Sequence, residues 1–545
     1  MRAALALTES RLPEASPASP ATVAQPAQKS LLRFITCGSV DDGKSTLLGR
    51  LLWETNSVFE DQAEALARDS EKFGTTGKAI DYALLVDGLS AEREQGITID
   101  VAYRYFSTLR RSFIAADTPG HEQYTRNMAT GASTADCAII LIDARKGLLP
   151  QTRRHSYIVS MLGVRSVIVA VNKMDLVGYS EETFRRIEAD YRALVPALGF
   201  TEVHVVPLAA REGDNLSSLS PRMRWYRGAT LLDLLETIEA PLRQDARFRL
   251  PVQWVNRPDA EFRGYSGTIA GGEIRVGDPV TVLPRGQESR IARILTPQGE
   301  AQAAGAGEAV TVTLGHEIDV SRGDVIVSTG SGLKPTRRMT ARLLGLADAG
   351  IEPGRTYLLK LGTGLVRTRV SMIHYGVNIE DYVETPSARI ALNGIGLATL
   401  EVETEIHATR YSECAALGSL LLIDPINNET LALGTIDQVV LPAAPDTAGT
   451  SPHVVETLVR LLVPADATTP EARSRHLSWR LASALLVALP VGLVTGSAGL
   501  GLAAAIGDVL LRTLGRAGHD RLWRAIGALR RRRAQDTLGL DGGGI

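Results

Sequence analysis

The stretch Leu31-Leu32-Arg33-Phe34-Ile35-Thr36-Cys37-Gly38-Ser39-Val40-Asp41-Asp42-Gly43-Lys44-Ser45-Thr46 decides the fold. The apolar run Leu31–Cys37 reads as a strand, and a helical pattern runs from Lys44 to about Trp53. Between them lies Gly38-x-x-x-x-Gly43-Lys44-Ser45. Strand, glycine-rich loop and helix in this order form a phosphate loop. The glycines let the backbone curl until its N–H groups face phosphates. The helix start aims its positive end at the same place. Lys44 supplies a point charge for the β- and γ-phosphates, and the Ser45 hydroxyl is placed to ligate Mg²⁺. Val40, Asp41, Asp42 and Thr46 complete the candidate contact set.

Working outward, four more apolar runs read as strands: Ser112–Ala116, Cys137–Ile142, Ser166–Val171 and Glu202–Pro207. Helical patterns lie between them, the signal of a parallel sheet built from right-handed crossovers. Residues 31–240 are expected to form this α/β domain. Asp117-Thr118-Pro119-Gly120 follows the second strand. An Asp at a strand end can hold Mg²⁺ through water, and the Gly120 N–H is placed to meet a γ-phosphate. Thr98, in Gly96-Ile97-Thr98-Ile99-Asp100, is the candidate second hydroxyl ligand, which makes that loop a switch. The expected metal set is therefore Ser45, Thr98 and Asp117. Asn172-Lys173-Met174-Asp175 follows the strand Ser166–Val171. The Asp175 carboxylate can accept two hydrogen bonds from the guanine N1–H and N2–H₂ edge, a donor pair adenine lacks. The cofactors implied are GTP and Mg²⁺. His121 stands directly after Gly120, where enzymes of this chemistry place the residue that orients the attacking water. His121, Thr98 and Lys44 are the expected catalytic set.

The 545 residues are 44% hydrophobic and 22% charged, which fits three or four domains with real cores. Net charge is -2, so no overall field favours nucleic acid, and no nucleic-acid partner is expected. Cys37, Cys137 and Cys414 are too far apart to suggest a metal cluster and read as small buried hydrophobes. Residues 1–30, rich in Ala, Pro and Ser, read as a disordered leader. Beyond Pro241 the texture changes to short alternating runs punctuated by glycine, with turn chemistry at Gly277-Asp278. Two antiparallel barrels are expected, over 248–332 and 335–441. Residues 442–470 read as a linker and 471–533 as a hydrophobic, basic helical region. Leu481–Gly507 carries no charge and is long enough to span a bilayer once, with Arg473, Arg475, Arg480 and Arg530–Arg533 around it.

Gly38–Thr46, Asp117-Thr118-Pro119-Gly120-His121-Glu122 and the paired barrels resemble elongation factor Tu and its relatives. Within that superfamily, Glu92–Phe106 is similar to the large GTPase subunit of bacterial sulfate adenylyltransferase. So are Asp117–Gly147, with His121-Glu122-Gln123-Tyr124-Thr125-Arg126-Asn127-Met128, and Pro251–Pro258 with Phe262-Arg263-Gly264-Tyr265. The resemblance implies a P-loop GTPase domain followed by two antiparallel barrels. It also implies a partner, a small adenylyltransferase subunit that makes adenosine 5′-phosphosulfate and pyrophosphate from ATP and sulfate, driven by GTP hydrolysis on this chain. A cytoplasmic location follows, with attachment to the inner membrane through the tail as a further expectation.

The chain departs from the family at its fifth nucleotide motif, Ala209-Ala210-Arg211-Glu212-Gly213-Asp214-Asn215, where the family usually has Ser-Ala-Leu. The serine hydroxyl is gone, and the Ala210 N–H is expected to keep the contact to guanine O6. Asp424-Pro425-Ile426-Asn427-Asn428-Glu429-Thr430 also drifts from the family pattern. No second phosphate loop follows Ser45, so the adenylylsulfate kinase fused to some members is not expected here. The tail resembles a small predicted-membrane domain in Ser478-Trp479-Arg480, Thr495-Gly496-Ser497 and His519-Asp520-Arg521-Leu522-Trp523. Two other readings stand beside the leading one: a translation factor that binds aminoacyl-tRNA, and a membrane-tethered GTPase switch.

Overall fold

The structure is a computed structural model. It describes residues 29–440, apart from 59, 74–79, 87–91, 93–97, 240–246 and 260–261. The first half is an α/β domain of six strands: β1 (Ser30–Cys37), β2 (Ala102–Ser107), β3 (Arg111–Asp117), β4 (Cys137–Asp143), β5 (Ser166–Asn172) and β6 (Glu202–Pro207). Its helices are α1 (Lys44–Glu54), α2 (Glu60–Phe73), α3 (Thr125–Ala132), α4 (Pro150–Met161), α5 (Glu181–Leu198) and α6 (Leu231–Thr237). The strand order is β2-β3-β1-β4-β5-β6. Five strands run parallel.

The sixth corrects the sequence reading, which has no strand between the phosphate-loop helix and β3. β2 pairs antiparallel with β3 at the sheet edge. Of its residues only Phe106 is buried, stacked on Phe113 with ring centroids 4.8 Å apart. One buried position gives too weak an alternation to announce a strand. β4 and β5 are the opposite case. Every residue of Cys-Ala-Ile-Ile-Leu-Ile-Asp and Ser-Val-Ile-Val-Ala-Val-Asn is buried, because helices cover both faces of the central sheet. One core packs Ile35, Ile140 and Val169 against Met128, Ile158 and Phe184. The other packs Phe34, Leu141 and Ile168 against Leu47, Leu51 and Leu235. The loops at the carboxyl ends of β1, β3, β4 and β5 thus gather at one sheet edge, where strand order reverses and open α/β sheets bind ligands.

Two antiparallel units follow. The first runs from the strand Arg249–Pro251 to Val325–Ser328 and turns at Gly277-Asp278, where Gly277 has φ 94°. The second runs from Pro335–Gly345 to Thr430–Val440. It closes because Thr356–Leu361 pairs with both Gly364–Val377 and Ser419–Ile423. Both are barrels around their own apolar cores. Cys37, Cys137 and Cys414 are free thiols and buried.

Ser30, assigned to the leader by the sequence reading, is the first residue of β1. The rest of that leader up to residue 28, the linker over 442–470 and the tail over 471–533 lie outside the described residues. Among the described residues no helix is long and apolar enough to cross a membrane.

Candidate functional site

β1 delivers the chain into the phosphate loop and α1 carries it away. Gly38 (φ 145°), Asp41 (φ 67°) and Gly43 (φ 92°) supply the positive-φ turns that reverse the backbone. A methyl group on Gly43 would lie 2.6 Å from Asn172 Nδ2, and one on Gly38 would lie 2.8 Å from the Leu141 carbonyl oxygen. Both positions therefore require glycine. Inside the loop Asp42 Oδ2 accepts from the Ser39 N–H at 2.6 Å. Lys44 folds back over the loop, its Nζ donating to the Ser39 carbonyl at 2.8 Å. Burial pushes the Lys44 amine down from its ordinary range, against the pull of Asp117 and Asp42. Gly43, the residue before α1, makes no side-chain cap, so the first-turn amides of Lys44, Ser45 and Thr46 have no acceptor within the helix. Those amides point out of the helix start toward the loop, an arrangement suited to an anion.

The candidate metal ligands converge. Ser45 Oγ donates to Asp117 Oδ2 at 2.7 Å and lies 3.3 Å from Thr98 Oγ1. The other Asp117 oxygen accepts from Thr36 Oγ1 at 2.6 Å. Burial pushes the Asp117 carboxyl up, and the Thr36 and Ser45 hydroxyls oppose that shift. Neighbouring ligands of an octahedral Mg²⁺ lie about 2.9 Å apart, given metal–oxygen bonds of about 2.1 Å. Two hydroxyls and a carboxylate at these spacings fit that ion, and an all-oxygen donor set suits a hard cation. Gly120 closes over the loop from the other side. A methyl group there would lie 2.5 Å from Lys44 Nζ and 2.8 Å from the Ser39 carbonyl. His121 follows at the surface of the site. Its Nδ1 accepts from the Gln123 N–H at 3.3 Å, which leaves the proton of the neutral ring on Nε2. Thr118 and Pro119 are buried, and Thr118 Oγ1 donates to the Thr36 carbonyl at 2.7 Å, so Thr118 acts on the sheet.

On the base side Asn172 joins three loops. Its Nδ2 donates to the Asp42 carbonyl at 2.8 Å, and its Oδ1 accepts from the Ala210 N–H at 3.0 Å. The latter bond changes one expectation: a guanine O6 at Ala210 would have to share a donor that already serves Asn172. Lys173, in the left-handed region at φ 62°, reaches back to the Asp41 carbonyl and lies 3.2 Å from Asp143 Oδ2. Asp175 is half-exposed beside it, whereas Met174 is fully buried and belongs to the core. Ala209 and Ala210 are buried and Arg211 is exposed. Gly96 and Ile97 lie outside the described residues. Val40 is half-buried in the loop.

Two residues of the site escaped the sequence reading. His155, on α4 and fully buried, accepts the Gly38 N–H on Nδ1 at 3.2 Å. Burial first, then the charges of Lys44 and Arg154, hold its pKa down at about 3, so the ring is neutral. Asp143 ends β4 as Asp117 ends β3. Burial pushes it up, but hydrogen bonds from Arg145 and Lys173 outweigh burial and bring it to about 2. A carboxylate closing an apolar strand was the available signal for Asp143. His155 had none, since its partner is 117 residues away.

The family model of the elongation factor Tu GTP binding domain matches residues 29–241, and that of the GTP-eEF1A C-terminal domain-like family matches 338–437. Sulfate adenylyltransferase subunit 1 of Laribacter hongkongensis is 55% identical over 418 residues, covering 76% of this chain and 87% of that protein. The bifunctional enzyme CysN/CysC of Xylella fastidiosa is 54% identical over 410 residues, covering 75% of this chain and 66% of that longer protein. Among solved structures, Sup35 complexed with GDP is 22% identical with a TM-score of 0.35, over 78% of this chain and 98% of that one.

Proposed function

The chain belongs to the family of sulfate adenylyltransferase subunit 1, and from that premise we propose that it is the GTP-binding and GTP-hydrolysing subunit of a sulfate-activating enzyme. A separate small subunit joins the adenylyl group of ATP to a sulfate oxygen, releasing pyrophosphate and giving adenosine 5′-phosphosulfate. GTP hydrolysis on this chain drives that transfer. The observation that carries the reading is the convergence of Ser45, Thr98 and Asp117 beside the phosphate loop, with Asn172 tying that loop to the base-side loops.

The residues divide the work. The amides of Lys44, Ser45 and Thr46 and the Lys44 ammonium hold the phosphates. Asp175 reads the guanine edge, and Lys173, braced by Asp143 and the Asp41 carbonyl, supports it. Ser45, Thr98 and Asp117 are the residues to hold Mg²⁺, which when bound neutralises charge on the phosphate oxygens. Gly120 brings its N–H to the γ-phosphate side of the loop. His121 presents Nε2–H to orient the attacking water. Coupling to the partner requires that the partner bind the GTP and GDP forms differently, because equal affinity for both shifts nothing. The three free thiols support a reducing, cytoplasmic location.

The test is reconstitution with the small adenylyltransferase subunit. GTP is expected to stimulate adenylylsulfate synthesis, and synthesis that ignores GTP would sink the reading. His121→Ala is expected to bind GTP normally while its hydrolysis rate falls by roughly 10²- to 10⁴-fold, the usual range for a lost proton-positioning group. Single-turnover hydrolysis measures this, and a rate equal to wild type removes His121 from the mechanism.

A further inference from the structure

Thr98 stands at the centre of the switch, yet the contact to Ser45 at 3.3 Å is too slight to hold a loop in place. The peptide after it is gripped from two sides. Glu92, buried, accepts from the Ile99 N–H at 3.0 Å and from the Asp100 N–H at 3.3 Å through one carboxylate oxygen. From the opposite side Asn127 Nδ2 donates to the Ile99 carbonyl at 2.8 Å. Asn127 sits in the first turn of α3, the helix that leaves the loop carrying Gly120 and His121. That helix is a rigid mount: Met128, Ala129 and Ala132 are in the core. It also sits close to both switch elements. A methyl group on Gly131 would lie 2.9 Å from Thr118 Cγ2 and 3.5 Å from Val101 Cγ1.

We propose that Asn127 is a positioning residue: the hydrogen bond from its side-chain amide to the Ile99 carbonyl holds the Thr98 hydroxyl over Ser45, with Glu92 as the opposing hold. The proposal rests on the GTPase reading. It deepens that reading by naming the link between the loop that meets the γ-phosphate and the loop that supplies the second hydroxyl. The link needs a donor. Asp, the same shape as Asn, offers only acceptors and faces a carbonyl oxygen. A hold on Thr98 strengthens binding of the triphosphate, which Thr98 faces, and leaves binding of the diphosphate alone.

The experiment measures, on the full-length chain with Mg²⁺, the affinities for GDP and for a non-hydrolysable imido analogue of GTP. For Asn127→Asp the analogue is expected to bind more weakly by roughly three- to tenfold, the worth of one hydrogen bond. GDP affinity is expected to stay within about twofold of wild type, which also shows that the variant is folded. Glu92→Ala is expected to show the same selective loss, and Glu92→Gln, which keeps an acceptor oxygen, to recover part of it. Loss of both nucleotides in equal measure, or of neither, overturns the positioning role. Wild type that binds neither nucleotide overturns the GTPase reading and the positioning role with it. Wild type that discriminates while Asn127→Asp matches it overturns only the latter.

Discussion

His155 lies fully buried on α4 with Nδ1 against the Gly38 N–H, so a proton on that nitrogen would replace an acceptor with a donor facing a donor. Its folded pKa is about 3 against 6.5 for an ordinary histidine. The sign follows from proton counts. Between these values the unfolded chain binds a proton that the folded chain does not, so stability rises with pH across the window and is lost as pH falls from about 6.5 toward about 3. The loss is roughly 1.4 kcal/mol for each pH unit from this group, and none of it appears above about pH 7. Denaturant midpoints measured at about pH 7 and about pH 5 check this. His155→Gln, which keeps an acceptor and cannot titrate, is expected to flatten the slope; an unchanged slope assigns the acid sensitivity elsewhere. Lys44, Ser45 and Asp117 were legible in the sequence as candidate site residues because each stands in a motif that is complete within a few residues of its own segment. His155 and Asn127 were not legible as site residues, because their meaning lies in partners on other elements.

At the scale of elements, the loop between β1 and α1 is where backbone geometry and ligand geometry coincide. Gly43 at φ 92° both starts α1 and leaves room for the Asn172 amide that ties the base-side loops to it. Gly43→Ala is therefore expected to cost about 1–3 kcal/mol in strain at that residue, read as a lower thermal midpoint, and to weaken GTP by at least about tenfold. Nucleotide titration beside a thermal scan checks both, and a variant that binds GTP like wild type would show that the Asn172 contact does not govern binding. The same scale shows why most of the sheet could be read in advance. β4 and β5 are unbroken apolar runs because both their faces are covered. β2 escaped because an edge strand with one buried residue carries almost no pattern. The fifth motif stands out in the sequence, but Ala210's commitment to Asn172 is a property of two loops meeting and is not written in either one.

At the scale of the whole molecule, the second barrel is fastened to the GTPase domain close to His121. Asn393 Nδ2 donates to the Glu122 carbonyl at 3.0 Å, directly after His121. Arg153 donates to the Glu380 carbonyl at 3.0 Å, and the Tyr382 hydroxyl donates to the Arg153 carbonyl at 2.9 Å. The Tyr382 ring packs against Tyr157, centroids 5.5 Å apart. Tyr382→Ala is expected to remove about 3 kcal/mol from this attachment and to split thermal unfolding into separate GTPase and barrel transitions. Calorimetry decides it; one unshifted transition would mean the fastening lies elsewhere. The barrels were foreseeable from glycine spacing, but these fastenings were not, since they join residues more than two hundred positions apart. The bare start of α1 reaches further still. With no side-chain cap of its own, that helix would be completed by phosphates bound there, and a filled chain would then outlast the empty one by an amount that grows with the logarithm of ligand concentration. A cell running short of guanine nucleotide would lose the protein itself as well as its turnover, and the supply of activated sulfate would follow the energy state of the cell twice over.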